Sequence, residues 1–278
     1  IKDSRGEFAR RFILFLLHSR FLFDQFIIKR EYAGDDQEGV WSLKELCTSG
    51  AGYKKKAYYA NTRLRYENEW EKTYAPRNKE CLMIQSALRV SYTSPKVMHW
   101  ITRLLEWLFD EETVLPKLTD EAERIAAEAV QEGFLDEGDH ELGVQTPHIV
   151  FNYLDYLLWK EGKEKYKDFV FEFRNSVEHW YPQHPSEGTF EVWDGIDTFG
   201  NLCIISRSVN SKFSNLSPES KMKSYKKMVQ KGSLKLRIMG DIIEGSSSEK
   251  WRQSACVKHE KEMIRLLCRA LQEAVEEE

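Results

Sequence analysis

The amino-acid sequence predicts a mainly α-helical protein with one small strand–loop–strand–helix unit in its second half, so α+β overall. Three observations predict it. Much of the first half carries large apolar residues at helical spacing. Two short apolar runs, 169–173 and 201–206, break that pattern after Lys160. Pro218 then stands where the first turn of a following helix accepts a residue without an N–H.

Taken in order, residues 7–30 read as a long helix that is apolar on more than one face, with Phe12, Leu16, Phe23 and Phe26 among its large side chains. Residues 33–39 are acidic and glycine-containing, a loop. Residues 53–74 mix Lys54, Lys55, Lys56, Arg63 and Arg65 with aromatics and read as a polar helix ending before Pro76. Helices are expected over 79–92 and 95–109. The second has Pro95 at its start and Val97, Trp100, Ile101, Leu104, Leu105 and Leu108 at helical spacing. Thr119, with Glu121 and Glu123 behind it, caps a helix over 119–131. Residues 133–143 are acidic and turn-rich and form the candidate linker. They divide a helical part, 1–140, from a second domain, 141–278. In that domain a helix is expected over 147–160, a strand over 169–173 and a short segment over 176–183 that turns at Pro182. A strand over 201–206 and helices from Pro218 to about Gln230 and from about 248 to 276 complete it.

Composition narrows the function classes. Of 278 residues, 41% are hydrophobic and 31% charged, so a sizeable core forms and general disorder is excluded. The most apolar stretch, 12–28, is interrupted by His18, Arg20, Asp24 and Gln25, so no membrane span is expected. Five widely spaced cysteines without a CxxC pair argue against structural zinc and a disulfide framework, and fit a reducing cytoplasm. The chain opens on Ile1 without a signal-peptide pattern and is expected to be the C-terminal part of a longer protein. The net charge of -4 conceals an asymmetry. Residues 106–141 hold thirteen acids against Lys117 and Arg124, whereas residues 207–237 hold nine basic residues against Glu219. A basic run of that kind suits phosphates.

The chemistry concentrates in Glu178-His179, Pro182-Gln183, Gly200-Asn201-Leu202 and Asn210. Hydrolysis of a phosphodiester needs a hydroxide near neutral pH and a positive charge on the phosphoryl oxygens. An imidazole suits the first task. A hard divalent cation on oxygen ligands suits the second. Adjacent residues of an extended strand face opposite sides, so Glu178 can hold a cation while His179 acts on water. Asn201 can bond across a hairpin and fix the histidine, and Asn210 can add a neutral oxygen at the start of the next helix.

The stretch VEHWYPQ…W…FGNLCIISRSVN…K…Y resembles the His-Me finger (HNH, ββα-metal) nucleases, and within them the C-terminal nuclease domain of GmrSD-type restriction enzymes. The motif positions are Glu178, His179, Pro182, Gln183, Trp193, Gly200, Asn201, Leu202, Ser206, Asn210, Lys221 and Tyr225, under a fifth of the chain. The resemblance implies that the small unit is a ββα-metal unit. It implies His179 as general base, Asn201 as the residue orienting its loop, and Glu178 with Asn210 as ligands of one divalent ion, Mg2+ or alternatively Mn2+. DNA is the implied substrate. An N-terminal sensor or NTPase module of the same protein or operon is the implied partner, with oligomeric state left open. Lys212, Lys221, Lys223, Lys226 and Lys227 are expected to contact phosphates, from charge and position alone. Trp180 departs from the small aliphatic residue usual after the histidine, and of Arg252, His259 and Arg265 none clearly takes the place of the family's late arginine.

Two other readings compete. The domain can keep the fold as a DNA-binding or regulatory module without chemistry. Arg174 with His179 also spells R-x4-H, the pattern of metal-independent HEPN-type ribonucleases, which requires both residues on one helix.

Overall fold

The computed structural model describes residues 5–32, 39–62, 75–110, 117–136, 142–185, 194–245 and 251–276. Helices dominate and the sheets are small and antiparallel, an α+β protein as expected. The chain forms two compact units, one of Ile1–Ser86 with Ser94–Ala122, the other of Ala87–Thr93 with Glu123–Glu278. Among the described residues no helix is long and apolar enough to cross a membrane.

The first unit opens with α1, Arg5–Phe26. Only its last part is buried, at Leu22 and Phe26, and Phe8, Phe12, Phe15 and Phe21 stand exposed. Two two-stranded ribbons follow: β1 (Lys29–Glu31) pairs with β2 (Val40–Ser42), and β3 (Lys44–Ser49) with β4 (Lys56–Asn61). The core of this unit includes Ile27, Ile28, Leu43, Ile84, Trp100 and Leu104. The Gln85 amide sits within it, accepting from Ile28 N–H at 3.1 Å and donating to the Phe26 carbonyl at 2.9 Å. The expectation of a helix over 53–74 is corrected. Gly50 and Gly52 adopt φ +90 and +58, conformations that break a helix and close a hairpin. The run behind them is strand β4 instead, where Tyr58 and Tyr59 pair across with Cys47 and Leu46. Residues 63–74 of that expected helix lie outside the described residues.

α2 (Ala75–Ser91), α3 (His99–Leu108) and α4 (Leu118–Val130) occupy the expected helical windows. A π-helical turn, Gln131–Leu135, extends α4 and buries Phe134 against the Phe199 ring at 4.9 Å. That half of the candidate linker therefore belongs to the core of the second unit, and its residues 137–141 lie outside the described residues.

The second unit is built on α5, His148–Glu161. Every residue from Ile149 to Trp159 is buried, so the helix is covered on all sides, the behaviour of a central core helix. After it, residues 169–173 belong to no strand, which corrects the expected strand. Phe169 and Phe171 are buried with rings edge-to-face at 5.0 Å, while Val170 is exposed. The alternation there records burial, not a ladder. The strand lies further on: β5 (Ser176–His179) pairs with β6 (Leu202–Ile205) in the register Glu178↔Cys203 and His179↔Leu202. Four helices follow: α6 (Arg207–Phe213), α7 (Pro218–Gln230), α8 (Leu234–Glu244) and α9 (Gln253–Glu276). Ser206 caps α6 through Val209 N–H, and Ser217 caps α7, which carries Pro218 in its first turn. α8 and α9 both pack on α5. Asp155 of α5 accepts from Lys235 N–H at 2.9 Å at the start of α8, and burial raises its carboxyl to about 6.

Candidate active site

The site grows from the β5–β6 hairpin. Glu178 and His179 are consecutive on β5, so their side chains leave opposite faces of the strand. Each meets its own partner. Glu178 Oε1 accepts from Lys221 Nζ at 2.9 Å. His179 Nε2 lies 2.6 Å from Asp197 Oδ1, and the same oxygen accepts from Gln183 Nε2 at 2.9 Å. The imidazole is 9% exposed and the Asp197 side chain 49%, so the dyad reaches solvent through its carboxylate end.

Asn201 is wholly buried behind the histidine. Its Oδ1 accepts from Tyr181 N–H at 2.8 Å and from Trp251 Nε1 at 3.3 Å. Its Nδ2 donates to the carbonyls of Tyr181 and Ile196, both at 2.9 Å. Both lone pairs and both amide hydrogens are used, which makes the side chain a clamp between the segment after His179 and the segment before Asp197. Trp180 N–H adds a bond to the Asn201 carbonyl at 2.8 Å. Gly200 is required beside it, because a Cβ there would stand 2.5 Å from the Cys256 carbonyl of α9.

Lys221 lies on the other side of β5 and is fully buried. Besides Glu178, its Nζ donates to the carbonyls of His179 at 2.8 Å and Trp180 at 3.0 Å. The rings of Trp180 and Phe213 flank it. Burial pulls its ammonium below the ordinary lysine range and Glu178 pulls it back. The expectation that Lys221 contacts phosphate is therefore corrected: all three of its donors are turned inward. Lys235, from the same basic run, is buried as well, with Nζ on the carbonyls of Phe199 at 2.7 Å and Leu202 at 2.5 Å. Lys212, Lys223, Lys226 and Lys227 are exposed on α6 and α7, and Lys226 pairs with Glu244 at 2.5 Å.

Asn210 is the fourth residue of α6 and is partly exposed, on a helix that packs against β5. His184 is exposed, and Trp193 lies outside the described residues. Trp251 donates to Asn201, and behind it His259 is buried with neither ring nitrogen bonded among the described residues. Burial drives the His259 pKa well down, so this histidine is neutral core. The R-x4-H reading is overturned. Arg174 is in irregular chain and His179 on a strand, and Arg174 is turned to Glu172 at 3.0 Å and the Lys231 carbonyl at 3.4 Å.

Sequence reasoning missed Asp197. No spacing rule links an acid in the turn Asp194–Asp197 to a histidine eighteen positions earlier. Its place is set by Gly195 at φ +76 and by the Asn201 bond to Ile196. Gln183, four residues after the histidine and part of the same motif, donates to the same carboxylate oxygen.

Comparison with curated proteins and with solved structures finds no match. Residues 137–266, just under half of the chain, match the family model described as GmrSD restriction endonucleases, C-terminal domain.

Proposed function

We propose that the chain carries a metal-dependent DNA endonuclease or nickase, the nuclease part of a prokaryotic restriction or anti-phage defence protein, and that β5, β6 and α6 are its ββα-metal unit. The observation that carries this reading is the division of labour on β5. One residue offers a carboxylate on one face, and the next offers an imidazole backed by a second carboxylate on the other. With Asp197 accepting from Nε2–H, the proton sits on Nε2 and Nδ1 keeps its lone pair. His179 Nδ1 is then the atom that takes a proton from water. Asp197 fixes the ring and stabilises the imidazolium that results. Asn201 holds both segments in register and acts through the backbone. The exposed Lys212, Lys223, Lys226 and Lys227 supply the charge for the DNA phosphates.

The donor set fits one hard divalent ion. Glu178 and Asn210 offer oxygen only, on β5 and on the helix packed against it. Among the described residues no group of three or more His, Cys, Asp or Glu is placed to hold a metal ion, so the protein ligands would be few. Few protein ligands, with waters and substrate phosphate completing the shell, is how Mg2+ is commonly held, and Mn2+ accepts the same donors. Bound there, the ion would neutralise charge on the scissile phosphate. The five free cysteines suit a reducing compartment, the cytoplasm. A sensor or NTPase module of the same protein or operon would choose the DNA.

A plasmid nicking assay tests the reading. Cleavage is expected in Mg2+ or Mn2+ and not in EDTA, and Asn210→Ala is expected to lower it by about 10²-fold. The lysine held on Glu178 favours the rival, a DNA-binding module without chemistry. Salt-dependent binding with no cutting in either ion would establish that rival instead. Asp197 gives a second test. Asp197→Ala is expected to lower kcat by about 10- to 10²-fold while KM and melting temperature hold, because the ring loses its orientation and keeps its chemistry. An unchanged kcat would remove Asp197 from the mechanism.

A further inference from the structure

The β3–β4 ribbon of the first unit has no role in the reading above, and its make-up calls for one. Residues 48–59 are exposed without a break, so its outer half is solvated on both faces. A strand normally spends one face on a core, and the outer half of this ribbon spends neither. Its register is nonetheless continuous from Lys44↔Asn61 to Ser49↔Lys56. The end is closed tightly: a Cβ on Gly50 would stand 2.7 Å from the Lys54 carbonyl, so glycine at φ +90 is what lets the chain turn there. The turn presents Tyr53, which is fully exposed, then Lys54 and Lys55, with Lys56 opening β4.

Charge identifies the occupant. Residues 46–61 contain no Asp or Glu, and among the described residues no acid pairs with Lys54, Lys55 or Lys56. Three adjacent ammonium groups at a tip repel one another and bury nothing, so they weaken the ribbon when it is free. They gain when a polyanion lies against them. A hairpin with six-residue strands extends about 20 Å, and a two-stranded ribbon is of a width that the major groove of B-form DNA admits. Tyr53, Tyr58 and Tyr59 add exposed hydroxyls able to donate to phosphate.

We infer that the β3–β4 ribbon is a second DNA contact, a basic arm whose tip lysines Lys54, Lys55 and Lys56 engage the phosphates of duplex DNA. The choice of DNA rests on the nuclease reading, but the binding itself needs neither metal nor cleavage.

The test is a titration of a duplex of about 30 base pairs with the whole chain in EDTA, followed by anisotropy over about 0.05–0.3 M salt. The triple variant Lys54→Ala/Lys55→Ala/Lys56→Ala is compared with wild type. These side chains touch no core, so an unchanged melting temperature checks the fold. Loss of three phosphate contacts is expected to reduce the slope of log K against log salt by about 2–3, and to weaken binding at 0.1 M salt by about 10²-fold. An unchanged slope overturns the inference. So does a preference for duplex RNA, whose narrow major groove does not admit a ribbon. Cleavage assays on the same samples keep the two readings apart. If wild type never cuts and the slope still falls, the nuclease reading fails and the arm stands. If wild type cuts and the slope does not move, the arm alone fails.

Discussion

His179→Ala is expected to reduce DNA cleavage by about 10²–10⁴-fold while leaving duplex binding in EDTA at the wild-type level. The size follows from what is removed. A positioned base acts only as the proton leaves water, so its loss falls on kcat and not on affinity. The ring is 9% exposed and offers little surface to DNA, which is why binding should persist. Folding is the necessary control, since the ring belongs to a bonded cluster with Asp197 and Gln183. His179→Gln keeps a donor toward Asp197 without a nitrogen that can take a proton from water. It is expected to fold like wild type and to cut no better than the alanine variant. Gel assays of nicked plasmid, beside anisotropy, check both halves. A His179→Gln enzyme that retains activity within a few-fold of wild type would show that water is activated elsewhere, and the role given to β5 would fall.

The sequence made part of this arrangement legible, and the reasons are specific. Helices with apolar stripes or a proline start, such as α3 and α7, were readable because 3.6-residue spacing and a missing N–H are local properties. Glu178, His179, Asn201 and Asn210 were readable as motif candidates, which the structure places on β5, directly before β6 and on the helix packed against β5. Asp197 was not, because what brings it to the histidine is a glycine turn and an asparagine clamp. Strand β4 falls inside the expected helix because lysine and tyrosine suit a polar helix until the glycines at 50 and 52 are given positive φ. Lys221 and Lys235 show a different limit. A run of basic residues looks the same in sequence whether its ammonium groups face water or carbonyls, and here two of nine turn inward. Burial is a tertiary property, and only the packed hairpin shows which lysines are structural.

Lys221 is where that distinction has its largest consequence. The ammonium has three hydrogens and the structure uses them on Glu178 Oε1, the His179 carbonyl and the Trp180 carbonyl. Lys221→Met keeps the stem between Trp180 and Phe213, so little apolar packing is lost. It strands a carboxylate and two carbonyls, however. Breaking a buried ion pair from one side costs about 3–5 kcal/mol, because the charge left behind has lost its compensation. For a domain of this size that is a fall of about 10 °C in melting temperature. Arginine does not substitute, since its planar fork does not match three acceptors gathered around one point. The double variant Lys221→Met/Glu178→Gln separates the two parts of the loss. With the carboxylate neutralised, the remaining defect is two unpaired carbonyls, and the pair of changes is expected to recover about half of the lost stability. A phosphate-binding Lys221 predicts the opposite pattern. The methionine variant would then melt like wild type and lose affinity for DNA with a shallower salt slope. Measuring melting temperature and salt-dependent binding on the same three proteins decides whether this lysine holds strand β5 or DNA. The hydrogen bonds to the carbonyl of His179 and to that of Trp180, the residue just after the strand, assign it to the strand.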